Sequence, residues 1–367
     1  MAANYTKDTG QVSADSENQT SRNDGLISGR SFSYTGMIGT GGVGTGDYFR
    51  LNGDHTLGRE ESRSGRFLDR RDYCKLHIIS HYTKALLGSG FEVYPIGKVG
   101  DDPAGKRLLE EMREYGLNLR YMESLQDKPT LYSFCFLYPD GSGGNLTTDN
   151  SASTEIDEGT VEKAVEEMAT LGPQGIALAA PEVPLPARLK LLELAGKNGL
   201  YRVASFTGEE IPEIRKLDLA SFIDLLAVNE NEGAAFLGDA VGGGDDANRP
   251  SPEHIISALG EQYPSLAISM TAGAQGSWSW DGSTITHIPA APVTVETTGG
   301  AGDAHLAGII AGTVCGLSLS DAQRIGTVIA AASVGSPHTI NFDVTKQELT
   351  RIASMSKDLS PVQELFA

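Results

Sequence analysis

Short apolar runs alternating with amphipathic stretches dominate the chain after residue 30. Segments 33–39, 91–97, 175–179, 201–206, 225–228 and 266–270 are short and apolar on both faces. That pattern predicts strands of a parallel sheet covered by helices on each side. Helical periodicity runs over 76–87, 106–115, 160–170, 186–197, 252–259, 320–334 and 345–355. Segment 130–138 alternates like a half-buried strand and leads into a turn at 139–141. Segment 288–295 is read as a further strand, feeding an apolar run over 304–319. Residues 1–30 are polar with almost no apolar content and are expected to form a disordered tail. One domain is expected over 31–367, with 242–246 as an exposed loop.

The chain has 367 residues, 40% of them hydrophobic, which is ample for a large α/β core. Its formal charge of -19 argues against nucleic-acid partners and against an anionic membrane surface. Cys74, Cys135 and Cys315 are odd in number, far apart and without a C-x-x-C pair. A disulfide framework or a structural zinc site is not expected, and a reducing, cytoplasmic setting fits. The longest apolar run, 304–319, is short for a membrane span and contains His305.

The densest candidate chemistry is Thr297-Thr298-Gly299-Gly300-Ala301-Gly302-Asp303-Ala304. Small residues at a helix start leave backbone N–H groups free to bind an anion. An acid inside such a nest would repel a phosphate, but it suits a base that takes a proton from an attacking hydroxyl. The bland alternative is a glycine-rich turn capped by Asp303. Two more strand ends point the same way, since open α/β sheets bind ligands at the carboxyl ends of their strands. Asn229-x-x-Glu232 puts an amide and a carboxylate one helical turn apart, where the carboxylate can hold Mg²⁺ through water. Its bland alternative is a helix cap with a first-turn acid. Thr271-x-Gly273-x-x-Gly276 offers a hydroxyl and close backbone approach for nucleotide phosphates. Gly39-Thr40-Gly41-Gly42-Val43-Gly44 matches the dinucleotide fingerprint G-x-G-x-x-G, but no helical period follows it. Segment 50–72 is Arg-rich and reads as a solvated loop or a flap, with Arg59, Arg63 and Arg66 as candidate clamps for a polar acceptor.

Taken together, these motifs resemble the ribokinase-like (PfkB-type) carbohydrate kinase family over residues 33–342. The strongest parts are 97–105, 229–232, 271–276 and 298–303. The resemblance implies an α/β three-layer sandwich, with a central mostly parallel sheet flanked by helices and a small β lid built from parts of 44–72 and 128–150. It implies transfer of the ATP γ-phosphoryl to a hydroxyl of a sugar-type acceptor. Asp303 is then the catalytic base, and Gly300, Ala301 and Gly302 form the anion hole. Asn229, Glu232, Thr271, Gly273 and Gly276 line the nucleotide and Mg²⁺ site, with 330–335 near the adenine. A homodimer through the lid is also implied.

The chain departs from the family pattern in places. Thr297 stands where relatives carry an Asp that helps bind a monovalent cation, which leaves K⁺ use open. Gly299 replaces a Thr. His305 replaces a Phe and reads as a packing substitution. The family's acceptor-binding Asp after the first strand has only Gly44 and a displaced Asp47 as counterparts. Its Gly-Gly…Asn motif falls at 72–80, where neither residue type occurs. Arg59 and Arg63 are candidates for the missing acceptor contacts. The altered acceptor region also allows a catalytically silent regulatory protein on the same fold, against which Asp303 speaks.

Overall fold

The computed structural model describes residues 24–139, 143–238 and 250–367. Residues 1–23 of the expected tail, and the whole of the expected loop at 242–246, lie outside the described residues; 24–30 are not a loose tail, since Leu26 and Ile27 are buried in the core and their N–H groups donate to the Ala85 and Leu86 carbonyls at 2.9 Å. In chain order the strands are β1 (Gly36–Thr40), β2 (Gly44–Leu51), β3 (Gly65–Tyr73), β4 (Glu92–Gly100), β5 (Tyr121–Leu125), β6 (Leu131–Leu137), β7 (Gly143–Thr147), β8 (Gly175–Ala179), β9 (Tyr201–Ser205), β10 (Leu225–Asn229), β11 (Ala267–Thr271), β12 (Ser277–Trp280) and β13 (Ile285–Ile288). The helices used below are α1 (Lys75–Leu87), α2 (Pro103–Glu114), α3 (Leu185–Asn198), α4 (Glu230–Leu237), α5 (Pro252–Gln262), α6 (Ala301–Val314), α7 (Leu319–Val334) and α8 (Lys346–Ser354).

Nine strands form one sheet in the order β13-β12-β11-β10-β9-β8-β1-β4-β5. All neighbours from β11 to β5 are parallel, while β12 and β13 run antiparallel at one edge. Successive side chains enter opposite layers, as the two-residue strand period requires. Met37 joins the core with α1, α6, α7 and α8, whereas its neighbour Ile38 joins the core with α3, α4 and α5. β1 pairs with both β4 and β8, so the chain leaves it in both directions and opens a crevice at the strand carboxyl ends.

A second sheet has the order β3-β2-β6-β7. β2 runs antiparallel to β3 and parallel to β6, and β6 runs antiparallel to β7. Register sorts its side chains onto two faces. Gly46 lies opposite Asp72 and Ser133, and Cys135 lies opposite Tyr48 and Asn145. The other face carries Phe49, Phe67, Phe134 and Leu146, with the Phe49 and Phe67 rings 5.1 Å apart.

Several expectations need correction. Segment 288–295 is not a strand; β13 ends at Ile288, where Pro289 and Pro292 remove ladder donors. The β12–β13 hairpin was missing from the pattern reading because its strands are only four residues long. α2 starts at Pro103, three residues early, because Asp102 Oδ1 accepts from Gly105 N at 2.8 Å and caps it. The helix expected over 160–170 is two short ones, Glu158–Glu162 and Val165–Leu171. Much of the Arg-rich segment is strand, in β2 and β3. Gly44 opens β2 rather than a helix, so the G-x-G-x-x-G run lacks dinucleotide geometry.

α6 and α7 touch through glycine: a Cβ on Gly308 would come within 2.6 Å of Gly326 Cα. Gly308→Val should therefore lower unfolding stability in urea by roughly 1–3 kcal/mol through overpacking.

Candidate active site

Gly300 caps α6 in the left-handed region, at φ 74 and ψ -3, a conformation that suits glycine. No side chain caps this helix; Ala301 N donates to the Thr298 carbonyl at 3.4 Å, and the other first-turn N–H groups stand at the positive dipole end. Gly300, Gly302 and Asp303 line a cavity of about 210 Å³ at the sheet's carboxyl edge. Ser205 of β9, Asn229 of β10, Ser269 and Thr271 of β11, and Glu232 close it from the strand side. Asn229 and Thr271 are direct neighbours in the β10–β11 register.

A second cavity, of about 530 Å³, adjoins the first and shares Thr271, Gly302 and His305 with it. Gly273, Gly276, Pro292, Val293, Ala330 and Ala331 give it an apolar wall. Gly276 sits at φ 96 and leaves no room for a Cβ against the Ile288 carbonyl. The nest thus stands at the junction of a small polar cavity and a larger apolar one.

Lys75, the first residue of α1, brings its ammonium 3.7 Å from Asp303 Oδ2. Glu182, just past β8, accepts from Lys75 N through Oε2 at 2.9 Å. It thereby serves a helix whose own N-cap, Cys74, makes no side-chain cap. Glu182 holds φ 74, a strained value for a residue with a Cβ, and lies so close to Gly42 that any side chain there would overlap it. Burial pushes the Asp303 carboxyl above the usual aspartate range, and the Lys75 ammonium pulls it back. Asp303 in turn raises the Lys75 ammonium above the ordinary lysine value. Burial, against the pull of Lys75, raises Glu182 to about 7. Glu232 is also raised by burial.

Asn229 and Glu232 form a reciprocal capping box on α4: Glu232 N donates to Asn229 Oδ1 at 2.9 Å, and Asn229 N donates to Glu232 Oε2 at 2.8 Å. The bland alternative is therefore real geometry, and Glu232 still lines the polar cavity. His305 is 3% exposed, burial lowers it to about 4, and its Nε2 has no hydrogen-bond partner among the described residues. The acceptor candidates lie elsewhere. Asp47 is exposed and accepts from Tyr132 Oη at 2.8 Å, on the sheet face opposite Asp72. Arg63 donates to the carbonyls of Gly53 and His55 within its own loop. Arg59 and Arg66 are exposed, and Gly44 serves close strand packing against Leu131.

Pattern reading missed Lys75, Glu182, Asp72 and Tyr48. The strand-end rule pointed to Glu182, which follows 175–179. Lys75 and Asp72 fell in the segment set aside for lacking the expected Gly and Asn.

The model of the pfkB family carbohydrate kinases matches residues 83–346. This chain belongs to that family. Fructoselysine 6-kinase from Shigella flexneri is 39% identical over 67 residues, which span 18% of this chain and 26% of that protein. The 2-dehydro-3-deoxygluconokinase of Bacillus subtilis is 25% identical over 305 residues, 78% of this chain and 92% of the relative. The crystal structure of a Cryptococcus neoformans ribokinase in complex with ADP superposes with a TM-score of 0.67 at 22% identity. It covers 82% of this chain and 94% of the other, so the two share the ribokinase-like fold. Among the described residues of this pfkB-family chain, no helix is long and apolar enough to cross a membrane.

The sign of the Glu182 shift makes a stability prediction. The folded state holds a proton on Glu182 between the ordinary glutamate value of 4.5 and about 7, and the unfolded chain does not. Ionisation therefore destabilises the fold as pH rises through that window. Glu182→Gln, whose side-chain oxygen can still accept from Lys75 N, should be more stable than the parent at pH 8, by on the order of 1 kcal/mol. The gain should fade as the pH approaches 5 in melting curves.

Proposed function

We propose that this chain is an ATP-dependent kinase that transfers the γ-phosphoryl group to a hydroxyl of a sugar-type acceptor, with Asp303 as base. The observation that carries the reading is Asp303 in the first turn of α6, inside a glycine nest, 3.7 Å from Lys75 and lining the polar cavity that adjoins the apolar one through Gly302. The apolar cavity suits the adenosine of ATP, with Gly273, Gly276, Ala330 and Ala331 against it. The polar cavity suits the reacting groups.

The step runs in line. The acceptor oxygen forms a bond to Pγ while its proton passes to Asp303. The bond from Pγ to the β–γ bridging oxygen breaks, and ADP leaves with that electron pair. The N–H groups of Gly300, Ala301 and Gly302 face the charge that builds on the γ-oxygens. The Lys75 ammonium adds a positive charge beside them and opposes the burial that raises the Asp303 carboxyl.

Family members act on metal-bound nucleotides, so the donor set has to suit Mg²⁺. Among the described residues no group of three or more His, Cys, Asp and Glu side chains forms a metal cage. That suits Mg²⁺, which binds through one or two carboxylates, waters and the substrate's phosphates. Glu232 would hold it through water with Asn229 alongside, and the ion would neutralise phosphate charge. We place the protein in the cytoplasm, since all three cysteines are buried and unpaired.

The second sheet acts as the lid. Its outer face exposes Phe67 and Leu146, each at 62%, beside the Phe49 and Phe134 rings, which supports a dimer through that face. Phe67→Asp should then shift the protein to monomer in sedimentation, while a wild-type protein that sediments as a monomer would sink the dimer.

Asp303→Asn should lower kcat by about 10²–10⁴-fold in ADP release from ATP·Mg²⁺ over a sugar panel, with nucleotide affinity little changed. Full activity in that variant would remove Asp303 from the chemistry.

A further inference from the structure

The stretch that carries the chain from β13 into α6 is the least regular wall of the site. Residues 289–298 form neither strand nor helix, and Pro289 and Pro292 have no N–H with which to anchor it. Its anchors gather at Glu296. Glu296 N donates to the carbonyl of Val334, at the end of α7, at 2.7 Å, and Thr297 N donates to the same carbonyl at 3.3 Å. From the other side, Arg70 Nη1 donates to the Glu296 carbonyl at 2.6 Å. α7 therefore holds this residue by its N–H, and β3 holds it by its carbonyl. Only Thr297, Thr298 and Gly299 separate it from Gly300, the cap of α6.

The two contacts of Arg70 differ in worth. Its Nη2 also lies 3.3 Å from Glu296 Oε2, but that carboxylate is half exposed, and solvated ion pairs contribute little. The Arg70 side chain itself is 15% exposed, and its bond to the carbonyl is short and charge-assisted. Thr297, next along, is buried. Its Oγ1 accepts from Gly299 N at 3.3 Å, and its side chain hydrogen-bonds with the Tyr48 hydroxyl. Val295 and Thr298, on either side of this pair, line the apolar cavity. β3 also reaches the far side of the nest. Thr339 N donates to the Arg71 carbonyl, Tyr73 N donates to Thr339 Oγ1, and Thr339 packs where Gly299 and Gly300 lack side chains. Those links use the main chain of β3. The grip on Glu296 is a side chain and can be removed by itself.

We propose that Arg70 is a positioning residue for phosphoryl transfer: by holding the Glu296 carbonyl it sets the nest against the γ-phosphoryl, so that the nest is aligned when the second sheet is seated. This rests on the kinase reading above and adds to it a residue that touches neither substrate. The leverage is geometric, because a displacement of about 1 Å in a positioned group can cost about 10²-fold in rate.

The test uses the full chain with ATP·Mg²⁺ and the acceptor that the sugar panel turns over best. ADP release is read for wild type, Arg70→Ala, Arg70→Lys and Glu296→Ala, with melting curves for each. Active sites are counted by ATP titration, so that a loss of folded protein does not pass for a loss of rate. Arg70→Ala should lower kcat per site about 10–100-fold, with KM for ATP and for the acceptor within about threefold of wild type. Arg70→Lys keeps a cation that can meet the carbonyl and should regain part of that loss. Glu296→Ala removes the ion pair but keeps the carbonyl, and should cost much less than Arg70→Ala. An unchanged kcat in a folded Arg70→Ala overturns the inference and leaves the kinase intact. So does an equal loss in Glu296→Ala, which would give the effect to the ion pair, and so does a loss confined to KM. Where Arg70→Ala does not fold, Arg70→Met, of similar reach and without donors, decides the same comparison. Absence of both ATP binding and turnover in wild type fails the kinase reading and the inference with it.

Discussion

The structure depends on one half-buried ammonium held among carboxylates at the point where the sheet's connections diverge. Lys75 reaches Asp303 on one side, and its backbone N–H is held by Glu182 on the other. Removing charges from water is costly, and a pair repays that only with good geometry and further hydrogen bonds. Local features of the site follow from this demand. Glu182 takes a left-handed backbone that its side chain resists, and Gly42 gives up a side chain to make room. Strain kept at such a place is what a preorganised site looks like, because the surrounding packing over-determines it. The same arrangement ties β1, β8, α1 and α6 to one another, so the chemistry of the nest and the integrity of the central crossing are one problem.

The lid is fastened to the nest by backbone as much as by side chains. Thr339 N donates to the Arg71 carbonyl at 3.2 Å, and Tyr73 N donates to Thr339 Oγ1 at 2.8 Å. Arg71 N donates to His338 Nδ1 at 3.0 Å. Thr339 also packs against the space a side chain would need at Gly299 and Gly300. β3 is therefore clamped to the segment that packs against Gly299 and Gly300 at the start of α6. The Gly299 position, where the family pattern has Thr, fits this contact: the room is taken by Tyr48 and Thr339.

The layered α/β architecture was legible because buried parallel strands leave short runs that are apolar on both faces, and β8, β9, β10 and β11 all show them. The nest, the Asn229–Glu232 pair and the Thr271–Gly276 turn were legible because their backbone demands fall on consecutive residues. What failed was non-local. Proline made the approach to Thr297 irregular where alternation suggested a strand. The lid strands β2 and β3 carry arginines on a two-sided surface, so hydropathy hid them. Asp47 looked like the displaced acceptor residue on position along the chain, but the pleat turns it to the far face and Asp72 to the near one.

That last contrast explains why the second sheet resisted reading while the nest did not. The nest is backbone chemistry, and glycine spacing reports backbone directly. The sheet face turned toward the nest is side-chain chemistry contributed by β2, β3, β6 and β7, which meet only through register. A one-residue slip in β3 would carry Asp72 to the outer face and Arg71 inward, reversing the charge that this stretch of β3 turns toward the nest. The bulge between Asp47 and Phe49 in the β2–β3 pair lies next to that register, so the side chains this sheet turns toward the nest are set by how the ladder is counted as much as by which residues it contains.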